Sequence, residues 1–263
     1  MPRRIALRGI ALAYLVVILL APLGLVFYRT FQHGLQPVWQ VLSDHYTVHA
    51  FEITLLATAI AVPLNTAFGV LCALAIVRRR FRGKGLLNAF IDLPLAVSPV
   101  VIGLCLYLLY GRTGWFGPRL QAHGIQVLFA LPAIVLATIF VSVPFVAREV
   151  IPTLRELGTD QEQAAATLGA TRWQRFWRIT LPSIRWAVIY GVILTTARCL
   201  GEYGAVAVVS GRIEGKTETA TTLIDDMIQN FQTGGAYAVA VVLAAIAVLV
   251  LVLMTITRPK EAL

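Results

Sequence analysis

Six long apolar stretches, parted by short polar ones, run at approximately 9–28, 53–77, 86–110, 128–150, 184–209 and 235–257. A helix needs about 20 mostly apolar residues to cross a bilayer, and each stretch is long enough or nearly so. The pattern predicts an all-α, polytopic membrane protein with six transmembrane helices in a single domain, 1–263. The first stretch follows Arg3, Arg4 and Arg8, as the core of a secretory signal would. Its apolar run is longer than such a core and no small-residue cleavage site follows closely, so a retained anchor is expected.

Composition agrees with a lipid-facing exterior. Of 263 residues, 58% are hydrophobic and only 13% are charged, where a soluble domain carries about a quarter charged residues. A net charge of +9 in a soluble protein would suggest nucleic acid. Here the basic residues are expected to hold helices in the membrane, and no nucleic-acid partner is indicated. Cys72, Cys105 and Cys199 sit in apolar runs without a CxxC spacing or a histidine pair, so neither a metal site nor a disulfide framework is expected. His33, His45, His49 and His123 are dispersed and receive no role.

Basic residues accumulate on the cytoplasmic side of a membrane protein. With the N-terminus inside, the inner segments hold Arg3, Arg4, Arg8, Arg78, Arg79, Arg80, Arg82, Lys84, Arg148, Arg155, Arg172, Arg175, Arg178, Arg185, Arg258 and Lys260. The outer segments hold Arg29, Arg112, Arg119, Arg212 and Lys216, and Arg198 lies within a span. Sixteen against five places both termini in the cytoplasm. The longest inner connection is then 151–183.

That connection has a legible local code. Thr159 with Glu162 fits a capping box, the helix formers Gln163 to Ala166 follow, and Gly169 is a natural stop because it accepts positive φ. Thr171 with Gln174 fits a second box, and Pro182 with Ser183 punctuates the entry to the fifth span. Two short helices joined by a glycine bend are predicted. Trp173, Phe176 and Trp177 share one face, with Arg172, Arg175 and Arg178 on another. An aromatic and basic belt at the headgroups, or contact with a partner chain, would each use that arrangement.

The loop resembles the cytoplasmic signature of bacterial ABC importer permeases: Glu-Ala-Ala, three residues, Gly, nine residues, Ile-x-Leu-Pro. Ala164, Ala165, Gly169, Ile179, Leu181 and Pro182 match that spacing, while Gln163 stands where the family has Glu. Glu162 is one position early, about 100° round a helix, and does not substitute directly. The resemblance implies the type I importer permease fold, and a short helix that docks in a groove of an ATP-binding subunit. The segment 197–211, with Arg198, Gly201, Glu202, Tyr203, Gly204 and Ala205, resembles the Arg-x-x-Gly-Glu-Phe-Gly-Ala pattern of the sulfate, molybdate and tungstate branch. Its continuation, Val-Val-Ser-Gly-x-Ile-x-Gly-x-Thr-x-Thr, is most similar to the W-type sulfate/thiosulfate permeases. Tyr203 replaces their Phe, and Ala220–Thr222 replaces a frequent Leu-Pro-Leu.

The resemblance, which covers about 50–257, implies several partners. These are a T-type permease, two ATP-binding subunits and a periplasmic anion-binding protein. ATP and Mg would be bound by the ATPase, with no cofactor, metal or catalytic residue in this chain. No Walker-type G-x-x-x-x-G-K-[ST] occurs, and neither H-E-x-x-H nor G-x-S-x-G does. Molybdate or tungstate import is the alternative within the class. An ion-coupled secondary transporter would show internal repeats, and none is clear.

Arg198 and Glu202 stand out because ionisable groups inside a span are costly. Their i, i+4 spacing permits a helix-clamping ion pair. A second reading has Arg198 lend positive potential to an anion path while Glu202 restrains it. Asp92, Pro94 and Pro99 mark an interrupted helix with a hydrogen-bonded polar residue at the kink. The charge asymmetry makes one test direct. Cysteines at Gly83 and Gly158 should be labelled only from the cytoplasm and one at Gly215 only from outside; a reversal at any of them breaks the six-span orientation.

Overall fold

The computed structural model describes residues 13–256 apart from Leu15 and His33. Arg3, Arg4, Arg8, Arg258, Lys260, both chain ends and the opening of the first predicted span lie outside the described residues, as does His33. The helices are α1 (Ala21–Phe31), α2 (Leu35–Leu42), α3 (His45–Arg78), α4 (Lys84–Ala96), α5 (Pro99–Tyr110), α6 (Gly117–Ala122) and α7 (Leu131–Ser142). They continue with α8 (Pro144–Glu156), α9 (Asp160–Thr167), α10 (Arg172–Arg175), α11 (Leu181–Leu200), α12 (Gly204–Val209), α13 (Ala220–Gln229) and α14 (Thr233–Ile256). A π-helical stretch, Val16–Leu20, leads into α1, and a second, Phe176–Thr180, joins α10 to α11.

Among the described residues, four runs are long and apolar enough to cross a bilayer unbroken: His45–Arg78, Leu131–Glu156, Arg172–Leu200 and Thr233–Val250. They correspond to the second, fourth, fifth and sixth predicted spans. The first and third are bent pairs, α1 with α2 and α4 with α5, so the count reaches six when each pair is one span. In the third, the axes meet at 110°. The cause is local: a residue before proline is kept out of the helical region. Ser98 precedes Pro99 and stands at φ −59°, ψ 135°, with Val97 extended beside it. Asp92 is satisfied near this break, 2.7 Å from Arg148 Nε and accepting from Asn88 Nδ2 at 3.1 Å.

The fifth predicted span, 184–209, is corrected at both ends. The second short helix of the loop is not separate, because the helix that Thr171 caps runs on from Arg172 to Leu200. Pro182 therefore marks no entry. The chain accommodates it by widening to π register just before it, where the Leu181 N–H donates to Phe176 O five residues back. At the other end α11 stops at Leu200, and the chain restarts as α12 only at Gly204.

The centre of the bundle is the contact of α3, α8 and α11. Val146 on α8 is buried between two glycines. A Cβ on Gly69 would lie 2.7 Å from Val146 Cβ, and one on Gly191 would lie 2.7 Å from Val146 Cα. Lipid supplies no hydrophobic force between helices, so close van der Waals packing of this kind holds them together. A polar tie adds to it. Buried Asn65 donates to Ile139 O at 3.0 Å and to Ser142 Oγ at 2.7 Å, in the turn before Pro144 interrupts the ladder. Cys199 Sγ on α11 donates to the same hydroxyl at 3.3 Å. Interhelical hydrogen bonds in membranes contribute about 1 kcal/mol each. Asn65 therefore fixes register more than it adds stability.

Candidate functional site

The predicted site residues fall into two separate places. Gln163, Ala164, Ala165 and Gly169 belong to α9 and its stop, and Ile179, Leu181 and Pro182 to the root of α11. Arg198 and Glu202 lie at the opposite end of α11.

No residue of α9 is buried. Asp160 and Glu162 occupy its first turn, where negative charge complements the helix dipole. The expected capping box at Thr159 is absent. Its hydroxyl instead accepts from Gln163 Nε2 at 2.7 Å, because Thr159, at φ −123° and ψ 2°, does not hold the extended backbone that a cap needs. The stop is as expected, and more complete. Gly169 sits at φ 83°, Ala170 N donates to Ala165 O at 3.0 Å and Gly169 N to Ala166 O at 3.1 Å. Those two bonds form a Schellman motif. A Cβ on Gly169 would meet nothing within 4 Å, so the demand for glycine there is conformational, not steric.

Thr171 then opens the next helix with the predicted capping box: Gln174 N donates to Thr171 Oγ1 at 3.3 Å, and Thr171 N to Gln174 Oε1 at 2.9 Å. Trp173, Phe176 and Trp177 do form one cluster, with ring centroids 5.3 to 6.3 Å apart. Phe176 and Leu181 pack on the core between α3 and α8, while both tryptophans stay exposed. Glu162 was passed over by the motif match, yet it ion-pairs with Arg78 of α3 at 3.1 Å. Its signals in the sequence were a capping-box spacing from Thr159 and an acid one residue out of register with the motif.

The second place is built on the two helix breaks. Arg198 ends α11, where a cation suits the dipole, and its Nη2 lies 2.7 Å from Glu202 Oε2. The predicted pair therefore forms, but it bridges a break instead of clamping a continuous helix. Glu202 Oε1 accepts from Ala205 N at 2.9 Å, so the same carboxylate caps α12. Its side chain is 2% exposed against 31% for Arg198. Glu202 is thus enclosed and committed, while the arginine keeps an open side.

The two breaks touch. A Cβ on Gly204 would stand 3.0 Å from Pro99 Cβ, and one on Gly103 of α5 would stand 2.8 Å from Ala205 O. The second break therefore packs on the first, and α5 lies against α12.

Beyond α12 lies a charged cluster that the motifs did not indicate. Arg212 Nη1 reaches Asp225 at 2.6 Å and Asp226 at 2.9 Å, and its Nη2 donates to Tyr203 Oη at 2.7 Å. Tyr203 donates in turn to Asp225 at 2.8 Å. The hydroxyl that distinguishes Tyr203 from the family's phenylalanine thus anchors the break to α13. That hydrogen bond, with the guanidinium beside it, holds the Asp225 carboxyl below the usual range. Glu218 is pushed the other way, up to about 7, by burial first and then by its neighbour Asp226.

Comparison with known proteins follows the same lines. The family described as "Binding-protein-dependent transport system inner membrane component" matches residues 65–262. The "Sulfate transport system permease protein CysW" of Synechococcus elongatus is 53% identical over 91% of this chain and 84% of that protein. CysW of Escherichia coli is 45% identical over 89% and 81%, and E. coli "Sulfate transport system permease protein CysT" is 40% identical over 89% and 85%. A chain of a bacterial alginate ABC transporter, crystallised with an alginate pentasaccharide-bound periplasmic protein, superposes with a TM-score of 0.79 over 95% of this chain and 91% of its own. At 17% identity that match shows the fold alone. The exposed loop helix, the broken spans and these relatives agree, and the chain belongs to the binding-protein-dependent transport permeases, the membrane components of ABC importers.

Proposed function

We propose that this chain is one of two permease subunits of an ATP-driven sulfate importer, working by alternating access in a bacterial inner membrane. The observation that carries the reading is α9: a helix with no buried residue, stopped by Gly169, with Leu168 left 87% exposed at its end. An apolar side chain so placed is suited to burial in a groove of another protein. ATP and Mg would be bound there, by two partner ATPase subunits. With the loop in the cytoplasm, both chain ends lie there too, as the distribution of arginine and lysine argues.

Sulfate as the cargo is supported by the names of the relatives, and the second permease by the T-type proteins among them. A periplasmic binding protein would supply the anion, so the membrane path needs little affinity of its own. Arg198 is suited to such a path. Glu202 offsets its charge, which keeps a dianion from being trapped, and its open side leaves donors for passing oxygens. The contact of the two breaks, Pro99 against Gly204, is the natural point of separation as the path opens.

Proteoliposomes carrying the assembled complex test the reading. Sulfate uptake should require both ATP and the binding protein, and uptake driven by an ion gradient without ATP would contradict it. Arg198→Gln should lower uptake about tenfold with the complex intact, as loss of one charge-assisted contact in a path implies. If Arg198→Gln and Glu202→Gln each destabilise the complex and the double change restores it, the pair is a clamp and Arg198 has no part in permeation.

A further inference from the structure

The docking helix α9 hangs between two glycines in the left-handed region, Gly158 at φ 62° and Gly169 at φ 83°. It contributes nothing to the core. Backbone alone would let it swivel, so its side-chain attachments decide whether it moves with the spans.

Those attachments converge on one carboxylate. Arg78, the last residue of α3, reaches Glu162 Oε1 with Nε at 3.2 Å and Nη2 at 3.1 Å, and donates from Nη1 to Leu154 O of α8 at 3.0 Å. Thr180 Oγ1, in the π-helical stretch at the root of α11, donates to the same Glu162 Oε1 at 3.0 Å. Arg175 Nη1 reaches Glu162 O at 3.5 Å. All three guanidinium nitrogens of Arg78 are therefore in use, in the forked geometry that lysine does not reproduce.

Little water competes there. The space beside the pair, between Leu157, Ile179 and Thr180, is about 10 Å³, barely room for one water. Gln163 is different in kind. Its side chain hydrogen-bonds to Thr159 at the start of its own helix, and among the described residues the position where the family has Glu makes no side-chain hydrogen bond to a span.

We propose that Glu162 is the joint that makes α9 move as one body with the cytoplasmic ends of α3, α8 and α11. The inference rests on the importer reading above and makes Glu162 and Arg78 positioning residues. A push on α9 from the ATPase then reaches three spans at once. The π-helical stretch beside Thr180, a place where helices take up shifts of register, absorbs the difference at α11.

The test uses the full reconstituted complex and reads three quantities: co-purification of the ATPase subunits, sulfate moved per ATP hydrolysed, and the distance distribution between spin labels on Ala166 and Arg82. In Glu162→Ala the acceptor that Arg78 and Thr180 share is removed, while alanine still favours the helix. The ATPase should still co-purify, the label distribution should broaden, and sulfate moved per ATP should fall about tenfold, the scale of coupling lost at such contacts. Arg78→Lys should match Arg78→Ala to within about twofold, because the fork and not the charge is required.

A wild-type transport ratio in Glu162→Ala would overturn the joint and leave the importer standing. Loss of the ATPase from that variant would also overturn it, since Glu162 would then be a docking contact. Absence of ATP-driven uptake in the unmodified complex would overturn the functional reading itself, and this inference with it.

Discussion

Hydrocarbon offers no hydrogen-bond partner, so every backbone N–H and C=O inside a bilayer must find one within the protein. That constraint makes an unbroken helix the default and gives each interruption a cost that some other group has to offset. The interruptions here are satisfied one by one. Glu202 accepts from Ala205 N where α12 restarts, and Thr221 Oγ1 donates to Glu202 O at 2.7 Å. The Pro182 turn is relieved by π register instead of by a side chain. Breaks maintained in this way, and stacked on one another at Pro99 and Gly204, are a built feature of the fold.

The cytoplasmic loop obeys the opposite rule. Water satisfies exposed backbone there, so its helices need not be continuous and their ends are set by local signals. A Schellman stop at Gly169 and a capping box at Thr171 aim α9 away from the spans, while Arg78, Glu162 and Thr180 tie it back. One end of α11 thus answers to the docking helix. The other carries Arg198 beside the touching breaks, with only the helix between them. A helix tied to α9 at one end and broken at the other is what the proposed link between ATP hydrolysis and an anion path requires.

Local code accounts for most of what could be read from the sequence. Apolar run length located the spans, Pro99 announced the third-span break through its effect on Ser98, and Gly169 and Thr171 behaved as their chemistry requires. The errors came where two local rules competed. Pro182 looked like a boundary, but a helix able to widen by one residue passes through it. Thr159 and Glu162 spelled a capping box, but Glu162 was taken by Arg78, 84 positions earlier in the chain. Pairings at that distance, like those of Arg212 with Asp225 and Asp226, depend on how the bundle packs. No spacing rule reports them. The ion pair of Arg198 and Glu202 was legible, but the break beneath it was not, because Gly201 within an apolar run reads as well for close packing as for a stop.

The importer reading requires the contact between the broken helices to open as the anion passes. A Cβ added to Gly204 would lie 3.0 Å from that of Pro99, so a shift of about half an ångström brings the pair into the range of about 3.5–4.5 Å that a disulfide uses. Pro99→Cys with Gly204→Cys, in a complex whose Cys72, Cys105 and Cys199 are replaced, would therefore lock the two breaks together on oxidation. Sulfate uptake measured before oxidation, after it, and after reduction tests this most directly. Uptake should be lost when the disulfide forms and return when it is reduced; full uptake through the locked pair would show that the contact need not open.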